Sequence, residues 1–250
     1  MNVLITFGGA PYDEQTQKIV DRAPRMGADK VWVYDDMWMI ETEFYRHNYW
    51  LWEHHHKRGF GWYAWKPFII LDALSRLADN DIVMYVDADC YPVKEFGYLY
   101  VECAVAGGAL LFRANGHKNY KWTKRDAYIV MGQDEPRYHD RELNAGVARF
   151  MLFQKGPWRP YQFLMEWLTY CINPRATTFD PSVLGAEDEG FIEHRTEQAI
   201  MSLLAYKYGY PLHPELDYEQ GIFCQENTRP AATRQETSEV RGSRYRNVEY

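Results

Sequence analysis

Cysteine is scarce in this chain and poorly spaced for chemistry. Cys90, Cys103, Cys171 and Cys224 lie far apart and form no C-x-x-C pair. That spacing argues against a structural zinc site and against a disulfide scaffold. Basic charge is also in short supply, and the formal net charge is -7. A nucleic-acid binder needs a basic face to neutralise phosphates, so no nucleic-acid partner is expected. Long apolar runs are missing as well, and no stretch approaches the length of a membrane span. The chain passes from Met1 directly into Val3-Leu4-Ile5-Thr6-Phe7. It thus lacks the basic start and longer apolar core of a signal peptide, and the expectation is a cytoplasmic protein. No internal repeat is visible.

What is present suits one α/β domain. A length of 250 residues with 46% hydrophobic content supports one sizeable core and is too short for two large ones. Aromatic residues reach 16%. Flat rings with a polar tip suit sugar-facing clefts, and equally suit cores and interfaces. Val3 to Phe7 reads as a buried strand feeding the Gly8-Gly9 loop. Asp13 to Ala23 reads as a helix closed by Pro24 and Gly27, and Lys30 to Tyr34 as a second strand ending in Asp35-Asp36. Strand, helix, strand is the opening of a parallel sheet.

Glu41 to Lys57 is predicted helical. His54, His55 and His56 point about 100° apart there and cannot share one metal, so they read as exposed helix residues. Arg58 to Trp62 is a glycine-bracketed loop, and Lys66-Pro67 starts a helix whose apolar face is Ile70, Leu71, Leu74 and Leu77. Further strands are expected at Ile82–Val86, Ala109–Phe112 and Ala145–Phe153, and helices at Trp158–Cys171 and Thr196–Tyr208. The expected fold is a single Rossmann-like domain, a mainly parallel twisted sheet flanked by helices. It is expected to span 1–224, with 225–250 a polar tail or linker carrying few aliphatic side chains.

The chemistry concentrates at Ile82-Val83-Met84-Tyr85-Val86-Asp87-Ala88-Asp89. A continuous apolar strand delivers two carboxylates at its C-terminal end, where open α/β sheets bind ligands. Alternation along an extended backbone lets Asp87 and Asp89 point the same way. Mg²⁺ and Mn²⁺ prefer hard oxygens shared between a few carboxylates and substrate phosphates, and a departing diphosphate needs its charge offset. The plain alternative is a solvated turn. A haloacid-dehalogenase phosphotransferase would need Thr or Val where Tyr91 stands.

Gly59-Phe60-Gly61-Trp62-Tyr63-Ala64-Trp65-Lys66-Pro67 followed by Tyr85-Val86-Asp87-Ala88-Asp89 resembles a group of bacterial and viral GT-A glycosyltransferases. These are distantly related to glycogenin-like and lipopolysaccharide galactosyltransferases. Asn144-Ala145-Gly146-Val147 and Glu193-His194-Arg195-Thr196-Glu197-Gln198 extend the resemblance over roughly residues 1 to 215. It implies transfer of a sugar from a nucleotide-diphosphate sugar, UDP-linked by default, to a glycan or other hydroxyl acceptor. Asp87 and Asp89 would hold Mn²⁺ or Mg²⁺, with His213 a candidate third ligand. Thr6, Phe7, Gly8 and Asp35 would meet the nucleotide, Lys66 the diphosphate or donor sugar, and Asn144 the donor-sugar hydroxyls, with Ala88 also at the donor. Glu197 stands where relatives carry Asp in H-R-x-D-Q. Asp188 and Glu197 are the candidate bases, with Gln198 beside them. Trp122 to Asp126 could belong to an acceptor-side helix or to an ordinary amphipathic one.

Two rivals remain open at this point. A sugar-phosphate nucleotidyltransferase would carry a basic glycine-rich loop after the first strand, and Gly8 to Asp13 has no Arg or Lys. A catalytically silent sugar-binding module fits the aromatic content but has no need of the carboxylate pair.

Overall fold

The computed structural model describes residues 1–9, 11–53 and 60–226. In chain order the elements are β1 (Asn2–Phe7), α1 (Asp13–Met26), β2 (Lys30–Tyr34), α2 (Asp36–Ile40), α3 (Glu43–His47), α4 (Trp50–Glu53) and α5 (Trp65–Ser75). Then come β3 (Ile82–Val86), β4 (Cys90–Pro92), α6 (Tyr98–Val105), β5 (Ala109–Lys118), α7 (Asn119–Trp122) and α8 (Arg125–Val130). The chain continues through β6 (Asn144–Gln154), α9 (Trp158–Cys171), α10 (Pro174–Thr177), α11 (Thr196–Tyr208), β7 (Leu212–His213) and β8 (Phe223–Gln225).

The main sheet has the order β2-β1-β3-β6-β5-β7. Strand β6 is antiparallel to both β3 and β5, and every other pairing is parallel. Five strands therefore run one way, and the C-terminal ends of β1, β3 and β5 open at one edge. All five residues of β3 are buried because helices cover both faces. Alternate residues serve the two sides. Val3, Ile5, Val83 and Tyr85 pack with Ile69, Phe163, Trp167 and Ile200 of α5, α9 and α11. Leu4, Ile82, Met84 and Val86 pack with Ile19 of α1, Leu99 of α6 and Phe223 of β8. The α/β class and the mainly parallel flanked sheet are as the sequence predicts.

Three local readings need correction. The helix expected over Glu41–Lys57 is broken: α3 starts on a Thr42 cap that accepts from the Tyr45 amide and ends at Asn48, before α4 begins. The His54–His56 run and Arg58-Gly59 lie outside the described residues. Helix α1 continues through Pro24 to Met26, since a proline in the last turn forfeits little of the ladder. Finally, Gln225 pairs with Cys90, so the fold extends past the expected boundary at 224. The rest of that segment, from 227, lies outside the described residues.

Candidate functional site

A cleft of about 630 Å³ opens at the C-terminal ends of β1 and β3. Its floor is the carboxylate pair. Asp87 follows β3 directly, its amide bonded to the Arg149 carbonyl of β6 at 3.0 Å, and Asp89 stands two residues on. The Tyr85 hydroxyl donates to Asp87 Oδ1. Burial, and then the charge of Asp87, push that phenol well above its ordinary value, so it remains a donor. Asp89 accepts from Gln225 Nε2 at 2.9 Å and from the Cys90 thiol at 3.3 Å. Burial, followed by the neighbouring Asp87, raises the Asp89 carboxyl above the usual carboxylate range.

Lys66 forms one wall. It sits in the first turn of α5, 4% exposed, with Nζ 2.9 Å from Asp87 Oδ1 and 3.1 Å from Glu197 Oε1. It also donates to the Ala148 carbonyl at 3.1 Å. Burial opposes its charge, but the two carboxylates outweigh burial and hold the ammonium above its ordinary value. Glu197 opens α11 next to Thr196, whose φ of 42° is in the left-handed region. Burial pushes the Glu197 carboxyl up, while Lys66 pulls it down. Lys66 thus ties the end of β3 to the start of α11 through one buried cation.

Beside Lys66 the lining is aromatic, with the lysine Nζ 5.2 Å from the Tyr63 ring and 5.9 Å from that of Trp65. Phe7 stacks on Trp65 with centroids 4.1 Å apart, and Phe60 and Tyr63 join them at the cleft. Gly61, Trp62 and Tyr63 all have φ between 54° and 58°. For the two non-glycine residues this costs on the order of 1–2 kcal/mol each, a kind of strain that collects at binding sites. Gly61 is required there, since a Cβ would lie 2.7 Å from the Trp52 indole.

The sequence-derived candidates divide. Phe7, Gly8, Lys66, Asp87, Ala88, Asp89, Glu197 and Gln198 line the cleft together. Thr6 is fully buried behind them, and Asp35 caps α2 by accepting from the Trp38 amide at 2.7 Å. Asn144 starts β6, where its carbonyl accepts from the Tyr206 hydroxyl, and its side chain does not line the cleft. His213 lies on β7, three strands from β3 in the sheet, and does not join the aspartates. Asp188 is 2.7 Å from His139 Nδ1 and also lies outside the lining, so of the two candidate bases only Glu197 reaches the cleft. Glu187 accepts from the Arg125 amide at 2.7 Å, which ties down the loop that carries Asp188.

Arg149 and Gln225, which the sequence does not single out, line the cleft, as does Arg195 of the Glu193 to Gln198 motif. Arg149 was the detectable one, being a lone charge inside the apolar run Val147 to Phe153. It sits where β6 bulges against β5: Leu111 pairs with Met151, but Phe112 already pairs with Val147. Bulges of this kind re-aim side chains beside active sites.

The donor set suits a hard divalent cation. Asp87 and Asp89 offer carboxylate oxygens at one strand end, and Mg²⁺ or Mn²⁺ ordinarily takes one or two such groups plus water and phosphate. Among the described residues no group of three or more His, Cys, Asp or Glu is arranged to hold a metal. Charge in the cleft points the same way. Among the described lining residues Asp87, Asp89, Glu193 and Glu197 face Lys66, Arg149 and Arg195, and Arg149 also pairs with Glu215 and Asp217.

No sequence-family profile and no curated protein matches the chain. Among solved structures it is similar to the apo form of WbbM, a bifunctional glycosyltransferase, at 11% identity and a TM-score of 0.50 over 86% of this chain. The chain spans only 38% of that protein. It is also similar, with a TM-score of 0.44, to apo mouse xyloside xylosyltransferase 1, at 11% identity and covering 86% of this chain and 85% of that one. Among the described residues no helix is long and apolar enough to cross a membrane. The chain shares the α/β fold of part of a glycosyltransferase.

Proposed function

We propose that this chain is a glycosyltransferase that moves a sugar from a nucleotide-diphosphate sugar, in the first instance a UDP-sugar, to a hydroxyl acceptor. The observation that carries the reading is the pair Asp87 and Asp89 on the cleft floor at the end of the central strand β3, with Lys66 beside them. Asp87 and Asp89 would hold Mn²⁺ or Mg²⁺. Bound there, the cation would offset charge on the departing diphosphate.

The protein's own groups have distinct tasks in this reading. Lys66 supplies a fixed positive charge next to the leaving group, where a preorganised cation in a low-dielectric site acts most strongly. Glu197 orients Lys66 through the 3.1 Å ion pair. Phe7, Phe60 and Trp65 offer flat apolar faces suited to a base or sugar ring.

The test is release of UDP from UDP-sugars, with and without an acceptor, in Mn²⁺ and in EDTA. Wild type should release UDP only with the metal. Asp87→Asn and Asp89→Asn should slow release by on the order of 100-fold or more; shape is kept in both, and Asp87→Asn alone should lose some stability because buried Lys66 loses one of its two carboxylates. Equal rates in both variants and in EDTA would refute the reading. Tight metal-dependent binding of UDP-sugar with no release under any acceptor would identify a silent binding module.

A further inference from the structure

The amide of Gln225 can be oriented from its neighbours alone. Arg149 Nη1 lies 3.2 Å from Gln225 Oε1, and a guanidinium can only donate. The Tyr218 hydroxyl lies 2.9 Å from the same oxygen. The oxygen must therefore face Arg149, which turns Nε2 toward Asp89 Oδ2 at 2.9 Å. An ionised carboxylate can only accept, so both ends of the amide are satisfied in this orientation and neither would be in the flipped one. Arg149 is itself fixed by Glu215 and by Asp217 at 3.0 Å, both buried. The main chain adds a second hold, since the Glu226 amide donates to the Asp89 carbonyl at 2.8 Å.

We propose that Gln225 is a positioning residue for the cation site: anchored by Arg149, it fixes the direction in which Asp89 presents its carboxylate to the cleft. The proposal rests on the glycosyltransferase reading for its purpose but not for its geometry. Outer groups that orient a metal-binding carboxylate typically change metal affinity by about 10–100-fold when removed. It also assigns the last described strand, β8, a part in the site and not only in the fold.

Two measurements test this, using the whole chain and Mn²⁺ alone as probe. In ligand-free crystal structures, Gln225→Ala should release the Asp89 carboxylate from its place beside β8. By electron paramagnetic resonance, the same variant should bind Mn²⁺ about tenfold more weakly, with an unchanged melting temperature. Gln225→Glu cannot donate to Asp89 but adds a carboxylate at the site. In its crystal structure the Asp89 carboxylate should also leave its place beside β8, whereas a Gln225 that served only to fill space would leave Asp89 unmoved in this size-conserving variant. An Asp89 carboxylate unmoved in Gln225→Ala overturns the proposal whatever the Mn²⁺ result. Absence of Mn²⁺ binding in the wild type overturns the functional reading instead, and the crystal structures still decide the positioning role.

Discussion

Lys66 holds its charge inside the protein, so its removal has two consequences that can be separated. Lys66→Met leaves Asp87 and Glu197 without their shared cation, and breaking a buried pair from one side typically costs about 3–5 kcal/mol. Urea unfolding should show that loss. Lys66→Met with Glu197→Gln should recover part of the stability but none of the UDP release, if Lys66 acts on the leaving group. His194 gives a pH signature of its own. It is 3% exposed, its Nδ1 faces the Lys124 amide at 3.3 Å, and its Nε2 faces the Ala176 carbonyl at 2.8 Å. The ring must therefore be neutral, with the proton on Nε2 donated to Ala176. Burial, and then the charge of Lys124, push its pKa down to about 3 from the ordinary 6.5. In that interval the unfolded chain binds the extra proton and the folded chain does not. Stability present above pH 6.5 is thus lost as pH falls toward 3, by about 2 kcal/mol at pH 5. Urea midpoints measured from pH 7 to 4.5 should show this slope, and His194→Gln should flatten it. Asp87, Asp89 and Lys66 were legible in the sequence because each lies in a short local pattern. Arg149 stands out in the sequence only as a lone charge in an apolar run and Gln225 not at all, because their meaning depends on strands about 75 residues apart meeting.

At the scale of elements, helices α9 and α11 are where the sequence places them: α9 carries an apolar face, and α11 is a run of good helix formers, buried nearly all round, that stops at Gly209. Glu41–Lys57 misled because its aromatic and charged residues suit a helix, yet Thr42 caps a new start and Asn48 ends α3 after five residues. In the segment 178–195 the sequence signals Asp188 and the Glu193-His194-Arg195 start of a motif, but no element. The segment forms a cleft wall, because α8 and its flanks hold it. Lys124 Nζ donates to the Thr178 carbonyl at 2.7 Å, and Asp126 accepts from the Val183 and Leu184 amides at 3.0 and 2.8 Å. Phe179, Glu193 and Arg195 reach the cleft from this segment. Such capping by buried side chains has no period to read. The α1–α6 junction yields a prediction. Gly27 ends α1 at φ 140°, and a Cβ there would lie 2.4 Å from the Gly97 amide nitrogen, which is backbone and cannot yield cheaply. Gly27→Ala should cost roughly 2–4 kcal/mol through combined strain and overpacking. Gly9→Ala, with a φ of 115° but open space around it, should cost less, from backbone strain alone. A pair of urea titrations compares them.

For the whole molecule, the question is how much chain the domain needs. The apolar layer between the sheet and α1 is closed by the C-terminal segment. Phe223 is 3% exposed, with its ring 5.3 Å from Phe96 and 5.1 Å from Phe150. Strand β8 then pairs with β4, and Gln225 reaches Asp89 on the cleft floor. The low aliphatic content of the sequence after Gln225 predicts that little apolar area is available there to offset ordering entropy. A chain ending at Asn227 should therefore fold, melt within a few degrees of the full chain and retain metal-dependent UDP release. A chain ending at Gly221 loses Ile222 and Phe223 from the core, and Phe→Ala truncations alone cost about 3–5 kcal/mol. Against a typical total of about 5–15 kcal/mol, that shorter chain should be largely unfolded or insoluble at 37 °C. Circular dichroism melts of the two truncations decide it. A chain ending at Asn227 that melts far below the full chain would show that residues beyond 227 belong to the folded unit.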